Sequence, residues 1–168
     1  MELYEKACEG GSAHGCHNLG WGLFGREDPR AKAAFERSCS PGKDQESWRI
    51  DCFVLGLIAL LLDNDQPMAI ERFQRACDLG AVAGCVQLAV LNRPSNPAKA
   101  DALAAKAREE AERQCEKGDA LACQALADWY RQTKDAAKEE AFRNQGRVGL
   151  DEKCVKNGAG YCRLVKLR

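Results

Sequence analysis

Residues 69–91 read AIERFQRACDLGAVAGCVQLAVL, and this stretch decides the fold. It holds two cysteines eight residues apart, with two glycines between them. Three other cysteine pairs share this spacing and one pair has five additional residues, which accounts for all ten cysteines: Cys8 and Cys16, Cys39 and Cys52, Cys77 and Cys85, Cys115 and Cys123, and Cys154 and Cys162. The first cysteines of successive pairs recur after 31, 38, 38 and 39 residues. The chain is therefore predicted to be an array of one repeated supersecondary unit.

The residues around each cysteine pair predict two helices per unit, the second beginning near the second cysteine. The third position after the first cysteine holds glycine or asparagine, which tolerate the left-handed conformation that ends a helix: Gly11, Gly42, Gly80, Gly118 and Asn157. The fourth position before it holds Tyr4, Phe35, Phe73, Ala111 and Leu150. The third and fourth positions after the second cysteine are occupied by Leu19-Gly20, Leu55-Gly56, Leu88-Ala89, Leu126-Ala127 and Val165-Lys166. Each unit is thus predicted to be an αα-hairpin in which large residues meet small ones of the neighbouring helix.

Other segments refine this prediction. Proline at Pro29 and Pro67 is typical of a first helical turn. Residues 97–115 and 136–154 are predicted to form longer, more charged helices. The insertion between Cys39 and Cys52, SPGKDQESWRID, is predicted to enlarge one loop. The apolar run Phe53–Leu62 is too short to cross a bilayer and is predicted to be a buried helix.

The segments YEKACEGGSAHGCHNLGWGLF, AIERFQRACDLGAVAGCVQLAVL and CEKGDALACQALADWY resemble the Sel-one-like repeat family, a relative of the tetratricopeptide repeats. The chain is most similar to the cysteine-rich branch of that family. This resemblance implies an all-α solenoid, a right-handed superhelix of αα-hairpins with one disulfide per repeat between the two cysteines of each pair. It implies a single array over residues 1–168, with approximate units at 1–12, 13–43, 44–81, 82–119, 120–158 and 159–168.

Composition limits the compartment and the partner. The formal net charge is zero with 30% charged residues, which argues against nucleic-acid binding. Ten cysteines that all fall into local pairs are typical of an oxidising compartment. An extracytoplasmic location is therefore expected, periplasmic or secreted, with the mitochondrial intermembrane space as the alternative. The start MELYEKACEGG enters a helix directly, so Met1 is either an artificial start or the chain is a piece of a longer exported protein.

Catalytic and metal sites have little support in the sequence. Structural zinc usually uses Cys-x-x-Cys spacings, which the chain lacks. His14 and His17 leave noncovalent haem conceivable, but an exposed helix start explains them more simply. Five equivalent cysteine pairs indicate a framework and not a redox dithiol. Ser40-Pro41-Gly42-Lys43 has the Ser-x-x-Lys spacing of penicillin-recognising enzymes, yet Pro41 and Gly42 predict a loop where those enzymes have a helix.

The sequence therefore predicts a noncatalytic, monomeric scaffold or adaptor without cofactors. It would bind a protein or peptide, or an envelope polymer, on the concave face that the helices after the second cysteines line. The alternatives are a weak β-lactam-binding hydrolase and a haem or cofactor chaperone. Candidate contact residues are Trp21, Trp129, His17, Asn18, Val86, Gln87, Gln124, Asp128 and Arg131. Tryptophans are favoured as binding hot spots, although packing between hairpins would explain both of them. Trp48 in the insertion either plugs the side of the array or protrudes from it.

Overall fold

The structure is a computed structural model that describes residues 1–39 and 45–166, apart from the side chains of residues 45–47 and 165. The described residues form ten α-helices and no strand, and consecutive helices pack against one another along the chain. The helices are α1 (Glu2–Glu9), α2 (Ala13–Phe24), α3 (Arg30–Ser38), α4 (Gln45–Leu61), α5 (Gln66–Asp78), α6 (Val82–Asn92), α7 (Pro97–Glu116), α8 (Ala120–Gln132), α9 (Ala136–Asn157) and α10 (Ala159–Lys166). None of them is long and apolar enough to cross a membrane. The all-α prediction is confirmed.

Among the described residues the helix ends follow the glycine pattern with one exception, and the predicted position Gly42 lies outside them. Gly11, Gly80 and Gly118 have positive φ angles of 84°, 84° and 89°, as predicted. In the last unit the left-handed residue is Gly158, with a φ of 88°, and Asn157 is still helical. The prediction for Asn157 was wrong because glycine, which has no Cβ, takes this conformation at lower cost than asparagine. The helix therefore runs one residue further and ends at the glycine.

Large and small residues meet between neighbouring helices as the sequence predicts. A Cβ added to Gly20 would lie 2.6 Å from Cδ1 of Phe35, and one added to Gly56 would lie 2.5 Å from Cε1 of Phe73. Both phenylalanines are fully buried. The two glycines therefore let the phenylalanine rings of α3 and α5 lie directly against the backbones of α2 and α4.

Five disulfides join the cysteines in the predicted pairs, with Cα–Cα distances between 4.4 and 5.1 Å. The bonds join Cys8 to Cys16, Cys39 to Cys52, Cys77 to Cys85, Cys115 to Cys123, and Cys154 to Cys162. No described cysteine is free. Five such bridges indicate that the protein matures in an oxidising environment.

In four of the five bridges the second cysteine lies in the first turn of a helix, as predicted. Cys16 lies in the first turn of α2 and Cys123 in the first turn of α8, and they are 2% and 1% exposed. Their partners Cys8 and Cys115 lie in the last turns of α1 and α7. These bridges therefore join the end of one helix to the start of the next inside the core.

The bridge of the inserted unit differs from the other four. Cys39 follows α3 directly, but Cys52 lies in the middle of α4. The prediction that a helix begins near the second cysteine was wrong here, because α4 already begins at Gln45. Part of the insertion extends the helix towards its N-terminus.

The insertion and the apolar run differ from their predictions. Gln45–Asp51 belong to α4, so the predicted loop is helical over these residues, and the rest of the insertion lies outside the described residues. Trp48 is 6% exposed, so it is buried and does not protrude, which corresponds to the plugging alternative. At the other end of α4, Leu61 is 43% exposed and Leu62 just beyond it is 44% exposed. The prediction that the whole apolar run is buried was therefore wrong at its last turn.

The last helix packs against the second, a contact that the repeat pattern did not predict. Tyr161 of α10 stacks on Trp21 of α2 with ring centroids 4.4 Å apart. Arg163 donates a hydrogen bond of 2.9 Å from Nη1 to the Phe24 carbonyl oxygen. A Cβ added to Gly25 would lie 2.5 Å from the carbonyl carbon of Ala159. The two ends of the helical array therefore touch.

Candidate ligand-binding cavity

A cavity of about 290 Å³ opens between α4, α6, α8 and α9. Its apolar wall consists of leucines and its polar wall of glutamines, one aspartate and three arginines. The lining residues are Leu57, Leu60, Leu61, Gln87, Gln124, Asp128, Arg131, Arg143, Arg147 and Leu150. We call this space the leucine–arginine cavity.

Helical periodicity explains why the polar residues that α8 contributes to the cavity share one face of that helix. Gln124, Asp128 and Arg131 are four and three residues apart on α8, so their side chains lie on one face of that helix. Leu126 of the same helix is fully buried and anchors α8 in the core. The buried face and the cavity face of α8 are therefore distinct, and packing of the first fixes the position of the second.

Asp128 organises the polar wall. Gln87 of α6 donates from Nε2 to its Oδ2 over 2.6 Å, and Arg131 lies 3.2 Å from its Oδ1 through Nη2. Arg131 also donates from Nε to Glu139 Oε1 over 3.0 Å. Arg143 pairs with the same oxygen of Glu139. Both carboxylates are thus engaged by donors of the protein itself.

Arginine donors remain available at the rim. The side chains of Arg131 and Arg143 are 56% and 49% exposed. Arg147 makes no hydrogen bond or ion pair with any residue that the structure describes. A guanidinium has five N–H donors and no acceptor. The rim therefore offers unused donors, whereas the carboxylates of Asp128 and Glu139 are already paired with arginines.

The structure brings four of the predicted contact residues together. Gln87, Gln124, Asp128 and Arg131 all line the cavity. Gln87 is 2% exposed and Gln124 is 8% exposed, so both belong to the inner wall. Val86 next to Gln87 is fully buried and packs in the core.

Trp129 lies in the core and not on the surface. It is 2% exposed, with the guanidinium carbon of Arg93 4.8 Å from its ring centroid and that of Arg108 6.0 Å away. Trp129 Nε1 and Arg108 Nε are buried and have no hydrogen-bond partner among the described residues. The position of Trp129 therefore corresponds to the alternative of packing between hairpins, and not to an exposed binding residue.

His17 and Trp21 surround a buried carboxylate instead of lining the cavity. Asp51 of α4 has no exposed surface. Its oxygens accept hydrogen bonds from His17 Nδ1 at 2.9 and 3.0 Å, from Trp21 Nε1 at 3.2 Å and from Ser38 Oγ at 2.5 Å. Because Ser38 donates to the aspartate and not to the histidine, this cluster lacks the serine–histidine contact of a nucleophilic triad. It links α2, α3 and α4.

The stack of Tyr161 on Trp21 places a phenol next to this cluster. Burial raises the pKa of Tyr161, and the negative charge of Asp51 raises it further. Asn18, the remaining candidate, is partly exposed on α2. None of these residues belongs to the lining of the leucine–arginine cavity.

The described residues contain no group of three or more potential ligands that could hold a metal ion. The Ser40 and Lys43 positions of the Ser-x-x-Lys match lie outside the described residues. His14 and His17 are neighbours on α2, with ring centroids 6.1 Å apart.

Sequence reasoning missed the contribution of α4 and α9 to the cavity. Arg143, Arg147 and Leu150 lie on α9, a helix that carries the first cysteine of a pair and was not expected on the concave face. Their spacing of four and three residues, with arginines next to a leucine, is the signal that they share a face. The leucines at the end of α4 carried no such signal, because the whole apolar run was predicted to be buried and only the structure shows that Leu61 is 43% exposed.

Comparisons of the chain with protein-family models, curated proteins and solved structures found no match.

Proposed function

We propose that this protein is a noncatalytic scaffold that binds a protein or peptide partner in the leucine–arginine cavity. The observation that carries the proposal is the convergence of Gln87, Gln124, Asp128 and Arg131 with a leucine wall in one cavity. Binding sites typically combine apolar walls with a few polar groups that fix the ligand's orientation. This arrangement suits recognition.

The state of the polar groups supports binding over catalysis. Asp128 accepts a hydrogen bond from Gln87 and forms an ion pair with Arg131, so its carboxylate is already engaged by donors of the protein itself. The described lining consists of leucine, glutamine, aspartate and arginine side chains, none of which is a common nucleophile apart from the engaged aspartate. We assign the cavity to partner recognition.

The proposal includes the architecture and the location of the scaffold. The repeating cysteine-flanked hairpins support a Sel-one-like array in a right-handed superhelix. The disulfides support an exported protein, periplasmic or secreted, because thiols in the cytosol are kept reduced. A rigid, disulfide-linked wall also loses little conformational entropy on binding.

Site-specific photo-crosslinking tests this function. A benzophenone side chain replaces Leu61, which lines the cavity and is 43% exposed, in oxidised protein mixed with the host's extracytoplasmic fraction. The matched control carries the same group at Leu3, which is 79% exposed on α1 and outside the cavity. We expect a discrete crosslinked protein or peptide from position 61 and none from position 3. Identical products from both positions, or no product from position 61, would contradict the proposal.

A further inference from the structure

The charges around the leucine–arginine cavity indicate what chemistry its ligand must have. Asp128 accepts a hydrogen bond from Gln87 at Oδ2 and forms an ion pair with Arg131 through Oδ1, and Glu139 accepts from two arginines at one oxygen. Arg147 has no partner among the described residues. A ligand that enters this rim finds the free N–H donors of Arg147, whereas the carboxylates of Asp128 and Glu139 are already paired with arginines, so the ligand's own acceptor is the natural partner of Arg147. A carboxylate satisfies this requirement best because it can accept two parallel hydrogen bonds from one guanidinium.

The leucine wall sets the second requirement. Leu57 and Leu150 are 2% and 1% exposed at the base of the wall, and Leu61 is 43% exposed at its edge. A buried aliphatic side chain gains free energy from leaving water against such a wall. The cavity volume of about 290 Å³ is near the lower end for ligand sites, which span about 300–1,000 Å³. It accommodates an anchoring side chain and its neighbour, and not a folded element.

We propose that the ligand is a peptide segment in which an aliphatic side chain stands next to an acidic side chain. The aliphatic group occupies the leucine wall, and the aspartate or glutamate pairs with Arg147 at the rim. This inference depends on the proposed scaffold function and adds the identity of the recognised chemistry. It disfavours a basic side chain at the rim, because that side chain would face Arg147, whose charge no described carboxylate compensates.

Selection from a library of random heptapeptides, displayed against the oxidised protein, tests the inference. We expect enrichment of leucine, isoleucine, valine or methionine adjacent to aspartate or glutamate. Selected sequences are then synthesised with acetylated and amidated ends, so that side chains carry their only carboxylates. Calorimetry should show about a tenfold loss of affinity when the acidic residue becomes its amide, the effect of about 1.4 kcal/mol.

A double-mutant cycle assigns the carboxylate to Arg147. Arg147→Gln should weaken the acidic peptide about tenfold and leave the amide peptide almost unaffected, because both changes remove the same contact. Arg147→Lys should restore part of the affinity, since it returns the charge without the planar fork. Arg26→Gln is the matched control, because Arg26 is exposed and outside the cavity. Leu61→Ser should weaken peptides that keep the aliphatic residue, whereas Leu3→Ser should not.

The outcomes separate the two proposals. Selected peptides without acidic residues, or affinities that Arg147→Gln does not change, overturn the acidic–aliphatic ligand and leave a cavity that binds peptides differently. Binding that requires a free C-terminal carboxylate also overturns it. A library from which nothing is enriched overturns peptide recognition by the scaffold itself.

Discussion

At the scale of single residues, Asp51 ties three helices together. Its fully buried carboxylate in α4 accepts hydrogen bonds from His17 and Trp21 of α2 and from Ser38 of α3. An asparagine at this position has only one acceptor oxygen, and its amide N–H group would face one of the donors that now bind Asp51. We expect Asp51→Asn to lower the free energy of unfolding by about 3 kcal/mol, measured by urea denaturation with the disulfides intact.

A surface carboxylate provides the control for this prediction. Asp151 is exposed on α9, so Asp151→Asn should change the free energy of unfolding by less than about 0.5 kcal/mol. If both variants unfold at the same urea concentration as the unchanged protein, Asp51 does not carry the linkage between α2, α3 and α4.

The sequence could predict only part of this cluster. Helical register placed His17 and Trp21 on a helix face that points away from the core. In the structure Trp21 instead packs against the core, with its ring centroid 5.7 Å from that of Phe35, and both residues donate to Asp51. Their partner could not be predicted, because Asp51 lies in an insertion that interrupts the repeat and was expected to be a loop. Asp51, which gives His17 and Trp21 their structural role, lies in the insertion, the one segment that has no equivalent in the other repeats.

Tyr130 predicts how stability responds to alkaline pH. Burial, and then the hydrogen bond of its hydroxyl to Glu112 Oε1 at 2.9 Å, raise its pKa from 10.0 to about 12. Between these two pH values the unfolded chain releases a proton that the folded protein keeps, so the free energy of unfolding falls as pH rises. Urea denaturation from pH 10 to 12 should show a smaller decrease for Tyr130→Phe than for the unchanged protein. Equal decreases in both proteins would contradict the raised pKa.

At the scale of helices, the five disulfides differ in their access to solvent. The cysteines of Cys77–Cys85 and Cys154–Cys162 are partly exposed, whereas those of the other three bridges are at most 5% exposed. Thiol–disulfide exchange requires access to a sulfur atom. We expect increasing dithiothreitol to reduce the two accessible bridges first, as measured by alkylation and peptide mass mapping. Early reduction of Cys39–Cys52 would show that local opening and not exposure controls the order.

Helix boundaries show where sequence reasoning succeeds. The glycines after α1, α5 and α7 were predictable because a residue with positive φ has a specific chemical requirement. The pairing of Phe35 with Gly20 was predictable because it repeats. The start of α4 at Gln45 was not, since proline and glycine in the insertion favoured a loop and nothing local revealed that Trp48 would be buried. Tertiary packing decides whether such a segment is helical, and the sequence of a single repeat does not show which residues will pack against it.

At the scale of the whole molecule, the contact between α10 and α2 joins parts of the chain that a repeat pattern treats as unrelated. The hydrogen bond from Arg163 to the Phe24 carbonyl spans 139 residues. Whether the ends of an array meet depends on the angles between hairpins summed over all units, and small differences in each angle accumulate. The sequence predicts each hairpin, but the contact between α10 and α2 depends on the sum of the angles between all the hairpins.

Gly25 offers a direct test of this closure. Its Cβ position lies 2.5 Å from the backbone of Ala159, so Gly25→Ala must push α10 away from α2. The stack between Trp21 and Tyr161 should then open, because both rings lie in the same interface. We expect hydrogen exchange in α10 to accelerate about tenfold, which corresponds to about 1.4 kcal/mol of local opening, with α6 and α8 unchanged. Gly22→Ala is the matched control, since its Cβ would meet only the flexible Met1 side chain at 3.2 Å. Unchanged exchange in α10 of the Gly25 variant would mean that the neighbouring α9, and not α2, holds the last helix in place.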